Sequence, residues 1–573
     1  MFENAADGTL RVRNARTLGN YGRSMTERLV HWAAVAPDRV FMARRDRGGA
    51  WRELSYAEAL RQVRALGQAV LDRGLSAERP VAILSENGLE HAMLGLACMH
   101  VGIPFAPIST AYSLISTDFS KLRHILDLLT PGLVFTADGV AYGKAIAATV
   151  SCEVVTAEHV PALLATNPTD AVEAAAAAVG PDTIGKFLFT SGSTGLPKGV
   201  INTQRMMCSN QAMLLAAFPF LAEAPPVIID WLPWNHTFGG NHNIGIVLHN
   251  GGTMYIYDGK PTPAGIAESM RNLREIAPTI YFNVPKGYEE LARHLEAEPE
   301  LRKLFFSRLK MMFYSAAGLA QHVWDALERM AVATVGERVV MMTGLGSTET
   351  APFAIVTRPE FSGSGIVGLP APGVEMKLVE TAGKQELRVR GPNVTPGYWR
   401  NAAMTAKAFD AEGYYCMGDA LALLDPEDPQ KGFRFDGRIS EDFKLTTGSW
   451  VSVGPLRAKL LHAMAPYVRD AVIAGIDRDY VAALLILDNA ACAGKGETEI
   501  AEALLGLLRT LAASSTGSAT RVARAMVLHE PPSIDAGEIT DKGTLNQRAV
   551  LARRAELVER LYAEPCSSDI VEV

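Results

Sequence analysis

The sequence predicts a large α/β protein: a long N-terminal domain built of α/β subdomains with mostly parallel sheets, followed by a small α+β domain. Three observations lead there. Short apolar runs alternate with helical patterns through most of the chain, 573 residues are too many for one ordinary core, and the texture changes beyond Gly437. Tyr56 to Leu71 sets Tyr56, Leu60, Val63 and Val70 at helical spacing with Arg61, Arg64 and Asp72 on other faces, which predicts an amphipathic surface helix. The run Val81 to Leu84, a polar turn, and the pattern from Leu89 to His100 predict a strand feeding a crossover helix. Further buried strands are expected at Leu133 to Thr136, Lys186 to Thr190, Val227 to Leu232, Thr253 to Tyr257, Thr279 to Val284, Met311 to Ser315 and Val339 to Thr343. Strands separated by helices form parallel sheets. The alanine-rich run Ala171 to Val179 predicts a solvent-side helix, because alanine favours helix without specifying a partner.

Beyond Gly437 the pattern predicts strands near Ala471 to Ile476 and Ala482 to Leu487, then helices near Ile500 to Leu511 and Leu545 to Tyr562. The polar run from Asp436 to Asp442 is where a linker is expected. The chain therefore divides into residues 1–436 and 437–573, with a hinge near 437–442.

Composition narrows the function. With 55 basic and 62 acidic residues the net charge is −7, of the sign that repels nucleic-acid phosphate. The six cysteines, Cys98, Cys152, Cys208, Cys416, Cys492 and Cys566, lie far apart without a CxxC pair, so structural zinc and a disulfide scaffold are not expected. A reducing cytoplasm fits that usage. The N-terminus has no apolar core after a basic head, and the apolar stretch from Leu94 to Ile108 is broken by His100, Gly102, Pro104 and Pro107, short of the roughly 20 residues a membrane span needs. Neither export nor a membrane span is expected. The sequence leaves oligomeric state open, a homodimer included.

Function is most legible in Thr190-Ser-Gly-Ser-Thr-Gly-Leu-Pro-Lys-Gly199, which follows an apolar run. Small residues let the backbone curl tightly, so main-chain N–H groups and the hydroxyls of Thr190, Ser191, Ser193 and Thr194 converge on phosphate oxygens; Gly192 and Gly195 supply the turn and Lys198 a cation. A Walker loop requires Gly-Lys followed by Ser or Thr, whereas Lys198 follows Pro197 and precedes Gly199, so the P-loop NTPase reading fails.

This loop resembles the hallmark of the acyl-adenylate-forming superfamily, which contains acyl-CoA synthetases, adenylation domains of peptide synthetases and beetle luciferases. Other motifs of that family follow in its order over nearly the whole chain. The resemblance implies an ATP-dependent acid–CoA ligase using magnesium and coenzyme A on a small carboxylic acid. Gly344-Leu-Gly-Ser-Thr-Glu-Thr350 looks like the second nucleotide motif, in which Thr348 would bond the α-phosphate and Glu349 would help hold Mg2+; Leu345 stands where an aromatic is common. Ser315-Ala-Ala-Gly318 is similar to the small-residue turn on which adenine lies, placing Ala316, Ala317 and Gly318 at the base. Asp419 and Arg438 match the pair that takes the ribose hydroxyls, and His236, in Trp231-Leu-Pro-Trp-Asn-His236, matches the histidine that orients the acid carboxylate. Trp234, Phe238, Asn283 and Gly344 are placed around the acid by the same resemblance. A zinc site on His236 and His242 is not expected, since the two share no helical face and no further ligand completes a set.

In this family the small domain rotates between an adenylating and a thioester-forming pose. Ser440 matches the pivot, and Lys444 and Gly448 the face presented for the second half-reaction. The adenylating lysine sits in a loop near the C-terminus; Lys542, in Gly537-Glu-Ile-Thr-Asp-Lys-Gly-Thr-Leu-Asn546, is the only lysine after Lys495, though a register with Thr544 at that position stays open. The runs Glu441 to Val453 and Gly537 to Arg548 look most like bacterial feruloyl-CoA synthetases, which implies ferulate or a related hydroxycinnamate. Another aromatic, alicyclic or medium-chain acid fits the pocket chemistry as well. Three rival readings are a module loading a carrier protein, which would be a separate partner since no carrier domain is attached before Val573, a luciferase-type oxygenase, and an idle nucleotide-binding protein. The last is disfavoured because Lys198, Glu349 and the terminal lysine are all present.

Overall fold

In the computed structural model, which describes residues 1–5, 8–191, 195–381 and 383–573, the apolar runs become inner strands of parallel sheets. Pro197–Thr203, Ile184–Ser191, Phe105–Pro107, Val81–Ile83, Leu133–Thr136 and Glu153–Thr156 form a six-stranded sheet in that order. Every neighbouring pair is parallel except the first, an antiparallel hairpin. Val81, Ala82 and Ile83 are wholly buried, so this strand needs no polar alternation. A second sheet runs Val227–Asp230, Thr253–Ile256, Val40–Arg45, Trp51–Ser55, with only its last pair antiparallel.

Helices Tyr56–Leu71 and Leu89–His100 pack against each other and share one core with both sheets. The first begins where Ser55 Oγ accepts the Glu58 N–H at 3.3 Å. The second is buried on almost every face, leaving only Glu90 partly open, which is the pattern of an internal crossover helix. In contrast, Asp170–Ala178 buries Val172 alone and lies on the solvent side.

The third sheet has eleven strands. Ile280–Asn283, Met311–Tyr314 and Val340–Leu345 are its parallel end. Antiparallel strands from Ile355 to Arg438 continue it and recruit Leu10–Arg13 and Phe2–Asn4 at the far edge. This antiparallel half lies outside the strand list read from sequence, because one face is polar: in Lys384–Arg390, Leu387 and Val389 point inward while Arg390 is exposed. Lys377 is even buried, held by Asp410 at 2.8 Å and Glu412 at 2.5 Å.

Residues beyond 442 build separate cores around a four-stranded sheet, Val468–Ala474, Val481–Leu487, Val522–Val527 and Ile570–Glu572. Arg524 interrupts the apolar run of the third strand and hides it from a pattern reading; it is buried on Glu572 at 2.7 Å and on Glu564. The helix expected over Leu545 to Tyr562 is two helices, Gln547–Arg553 and Ala555–Tyr562. Arg554 breaks it by turning inward to donate to Glu538 at 2.8 Å. No described helix is long and apolar enough to cross a membrane.

Candidate active site

Four of the motif loops leave the C-terminal ends of strands: 184–191, 227–230, 311–314 and 340–345. The C-terminal edge of a sheet is where α/β proteins gather ligands, and here three sheets contribute. Thr190 and Ser191 end the first of these strands and pair in register with Lys198 and Pro197, so the hairpin sets the lysine opposite the threonine. Gly192, Ser193 and Thr194 lie outside the described residues. Gly195 has φ +84°, a conformation that favours glycine. Among the described residues, the buried Thr190 Oγ1 has no hydrogen-bond partner.

Lys198 reaches into a buried polar cluster. Its Nζ lies 2.9 Å from Glu349 Oε1 and donates to the Tyr398 hydroxyl at 2.7 Å, and that hydroxyl donates to Glu349 Oε1 at 3.0 Å. Glu349 is 4% exposed. Burial opposes its ionisation, but the Lys198 charge and the two hydrogen bonds win, holding the carboxyl below the usual carboxylate range. Burial likewise opposes the ammonium, and Glu349 with Tyr398 holds it above its ordinary value. The backbone explains the meeting: Val200 bridges Tyr398, the Trp399 N–H donates to Gly199 O at 2.8 Å, and the Thr395 N–H donates to Glu349 O at 2.8 Å. Tyr398 escaped the sequence reading, although Pro396-Gly397 before an aromatic pair marks a turn that presents side chains.

Thr348 and Glu349 sit on a short 3-10 turn, Thr348–Thr350. A Cβ on Gly346 would lie 1.6 Å from Pro352 O, so glycine is required there. Asn393 donates to Thr350 O and Phe353 O, both at 3.0 Å, and Asn210 to Phe353 O at 2.7 Å, fixing the turn from two sides.

Asp419 and Arg438 are register partners on adjacent strands, with Arg438 Nε 3.4 Å from Asp419 Oδ1. Burial pushes the Asp419 carboxyl up to about 6; Arg438 opposes this, while Glu441 and Glu349 add to it. Ala316, Ala317 and Gly318 form an exposed turn after the strand Met311–Tyr314, with Ala316 in left-handed backbone at φ +78°.

The C-terminal loop docks on the large domain. Thr117 donates to Asp535 Oδ2 through its N–H at 3.0 Å and its hydroxyl at 2.8 Å, and Lys121 donates to Ile534 O. The loop's base is tied by Arg554 and the Ser533 N–H, which donate to the wholly buried Glu538. Its tip is a tight turn: the Gly543 N–H donates to Thr540 O at 2.9 Å and the Thr540 N–H to Thr544 O at 2.8 Å. That turn puts Asp541 Oδ2 3.6 Å from His236 Nε2 and 3.4 Å from the Asn235 amide nitrogen. Lys542 is exposed beside it. Burial, then the Lys542 charge, pushes the His236 imidazole down to about 4 against the opposing pull of Asp541, so the ring is neutral near pH 7.

The remaining sequence-predicted residues divide. Phe238 is half-buried in an aromatic group with Phe282, at 5.9 Å, and Phe313, at 5.9 Å. Trp234 is buried edge-on to His91 at 5.0 Å, beside an enclosed space bordered by Lys186. The Asn283 amide is committed internally, donating to the Tyr281 hydroxyl at 3.1 Å and accepting the Val284 N–H at 2.8 Å. Gly344 is half-buried near the end of its strand, where a Cβ would lie 2.6 Å from Ile355 O. Ser440 is exposed in the turn after Arg438. Lys444 stands over the Trp450 ring at 5.0 Å and Gly448 makes the next turn at φ +80°; both are exposed, and it is the 533–546 loop that reaches His236.

Among the described residues no group of three or more His, Cys, Asp or Glu side chains is placed to hold a metal by itself. The single hard carboxylate of Glu349 fits a magnesium ion whose other ligands are phosphate oxygens and water.

Comparison with known proteins agrees with this architecture. The family model described as AMP-binding enzyme matches residues 29–399, and that described as AMP-binding enzyme C-terminal domain matches residues 442–565. A carboxylic acid reductase of Segniliparus rugosus is 26% identical over 67% of the chain, which spans only 33% of that relative's length. An anthranilate–CoA ligase of Pseudomonas aeruginosa is 30% identical over 46% of the chain and 48% of the relative. The structure of the A domain of the Segniliparus rugosus reductase, solved with AMP and a co-purified carboxylic acid, superposes with a TM-score of 0.73 at 21% identity, covering 95% of this chain and 94% of that one.

Proposed function

The chain belongs to the AMP-binding enzyme family, and from that premise we propose that it is an ATP-dependent acid–CoA ligase acting on a hydroxycinnamate such as ferulate. A carboxylate oxygen of the acid attacks the α-phosphorus of ATP, the α–β anhydride bond breaks and pyrophosphate leaves. The coenzyme A sulfur then attacks the acyl carbon and AMP departs. The observation that carries this reading is the convergence, beyond strand ends of three sheets, of a phosphate-type hairpin, its Lys198–Glu349–Tyr398 cluster, and a loop whose Asp541 reaches His236 with Lys542 beside it in the chain. In this proposal Thr190, Ser191 and Lys198 hold phosphate, Thr348 the α-phosphate, Ala316 to Gly318 the base, and Asp419 with Arg438 the ribose. Neutral His236 donates one hydrogen bond to the acid carboxylate. Glu349 would hold magnesium carried on the triphosphate, which supplies neutralisation of charge. Residues 437–573 form the moving domain, turning near 437–442 to offer the Lys444 and Gly448 face for thioester formation.

The same adenylate-forming residues serve a second reading, in which the thiol belongs to a separate carrier protein. One assay separates these readings: pyrophosphate release and thioester formation across cinnamic, benzoic and aliphatic acids, with and without coenzyme A. Hydroxycinnamates are expected to be fastest, and free coenzyme A to be acylated. A best rate with an aliphatic acid removes the ferulate reading, and adenylate formation without acyl-CoA favours the carrier.

Asp419 adds a pH test. The ionised carboxylate accepts from both ribose hydroxyls, whereas protonation turns one oxygen into a donor and weakens the other as an acceptor, so adenosine affinity should fall as pH drops through about 6. Adenosine is the probe because the phosphate of AMP itself titrates at a pKa of about 6. Asp419→Asn should weaken binding and flatten this dependence; competition binding of adenosine between pH 5 and 8 checks it, and an unchanged slope in the variant contradicts the ribose role.

A further inference from the structure

Beside the activating residues lies a second buried imidazole that the reaction above does not use. His242 is 1% exposed and its ring sits among Phe238 at 5.3 Å, Phe282 at 5.2 Å, Phe313 at 5.3 Å and Phe353 at 6.2 Å. Its Nδ1 lies 2.9 Å from Asn243 Oδ1. Among the described residues its Nε2 is buried without a hydrogen-bond partner.

The neighbouring bonds determine what that nitrogen can do. Asp230 is wholly buried and its carboxyl is pushed up by burial only to about 6, so it is ionised at neutral pH and accepts only. It therefore accepts a hydrogen bond from the Asn243 amide nitrogen, 2.9 Å from Oδ2, which turns Asn243 Oδ1 toward His242. That oxygen accepts only, so Nδ1 must carry the imidazole proton. Burial lowers the ring's proton affinity to about 4, against the opposing pull of Asn243, so no second proton is present. Nε2 is consequently a bare lone pair in an aromatic enclosure, and leaving such a buried acceptor unsatisfied is unfavourable.

The backbone places this acceptor relative to His236. Both belong to one segment, His236 just before and His242 within the π-helical turn Phe238–Asn243. Gly239 and Gly240 press that turn onto the preceding chain: a Cβ on either would lie 2.4 Å from Leu232 O or 2.2 Å from Trp234 O. Half-buried Phe238 stands between the two imidazoles in sequence and belongs to the enclosure.

We propose that His242 Nε2 accepts a hydrogen bond from a ring hydroxyl at the far end of an aromatic acid whose carboxylate lies on His236, making His242 the residue that selects hydroxylated over unsubstituted or O-methylated acids. The inference rests on the acid-activating reading of this site. A methoxy oxygen has no proton to give, and a bare ring leaves the acceptor unpaired; a phenol satisfies it without entering a charged state.

The test compares cinnamate, 4-hydroxycinnamate and 4-methoxycinnamate by acid-dependent pyrophosphate release, in the wild-type chain and in His242→Leu. The wild type is expected to prefer the 4-hydroxy acid in kcat/KM by about tenfold or more over both others, the equivalent of one buried acceptor left unpaired. His242→Leu should bring those ratios to near one, with ATP binding by calorimetry reporting whether the variant is folded. Equal wild-type rates for the three acids overturn the inference without needing any variant, and leave acid activation standing. A folded His242→Leu that keeps the preference overturns it too. Failure to activate any acid in a broad panel would instead overturn the underlying reading, and this inference with it.

Discussion

Lys542→Ala is expected to lower acid-dependent pyrophosphate exchange by about 10²–10³-fold, the usual loss when one preorganised charge donor is removed from a transition state. Thioester formation from supplied acyl-adenylate should be largely unchanged. The asymmetry follows from the loop. Its base is fixed by Glu538 under Arg554 and its flank by Asp535 on Thr117, so the tip at Thr540 to Gly543 is delivered to His236 as a rigid turn. Among the described residues Lys542 makes no ion pair, and its charge is felt by the imidazole. In the proposed reaction a cation so placed would neutralise charge that builds on the α-phosphate and acid oxygens during attack. It would have no such task when sulfur attacks the finished adenylate, after the proposed turn of the small domain. Measuring both half-reactions separately checks this; equal damage to the two contradicts it. Thr544→Ala resolves the loop register, since a strong exchange defect there with a mild one in Lys542→Ala would move the role by two residues.

Glu349→Gln should have an effect of similar size on exchange and a further one on stability. The carboxylate is the charge partner of half-buried Lys198; removing one member of a fully buried pair costs about 3–5 kcal/mol because the other is left uncompensated, and solvent at the lysine reduces that loss. Gln keeps some hydrogen bonding, so a loss near the lower end is expected, read as a lowered Tm. The pH sign is set by the two shifts. The Glu349 carboxyl is held below the ordinary carboxylate range, so its contribution is present above the unfolded value and lost as pH falls through the depressed folded one. The Lys198 ammonium is held above its ordinary value, so its contribution is present below the unfolded value and lost as pH rises through the raised one. The difference in Tm between wild type and variant should thus be largest and flat across neutral pH and narrow in strong acid. Exchange assayed against magnesium should require more metal in the variant. An unchanged magnesium titration removes the proposed ligand role while leaving the stability argument intact.

The parallel sheets and internal helices were legible because their strands are apolar on both faces: Val81 to Ile83 and Leu133 to Thr136 lie where the pattern puts them. The antiparallel half of the largest sheet was not, since a half-buried strand such as Lys384–Arg390 carries charge on alternate residues and reads as a loop. Arg524 concealed a strand and Arg554 broke a helix for a related reason: each is a buried cation whose partners lie far along the chain. In the site, motif order singled out Lys198, Glu349, Asp419, Arg438, His236 and Lys542. Of the side chains that tie those residues together, Tyr398 comes from a segment without a motif of its own, and Asp541 stands beside Lys542 in the C-terminal loop. Tyr398 meets Lys198 only because two distant backbones pair, and Asp541 meets Asn235 and His236 only because one domain docks on the other. Trp234 and Asn283 illustrate the converse, chosen for their neighbours in sequence and found engaged with His91 and with Tyr281.

The central claim is that this chain joins a carboxylic acid to AMP. The most direct measurement is incorporation of labelled pyrophosphate into ATP by the whole chain with magnesium and no coenzyme A, with and without added hydroxycinnamate. Label should enter ATP only when the acid is present. Consumption of ATP at the same rate without any acid, or no exchange with any acid offered, would contradict the account.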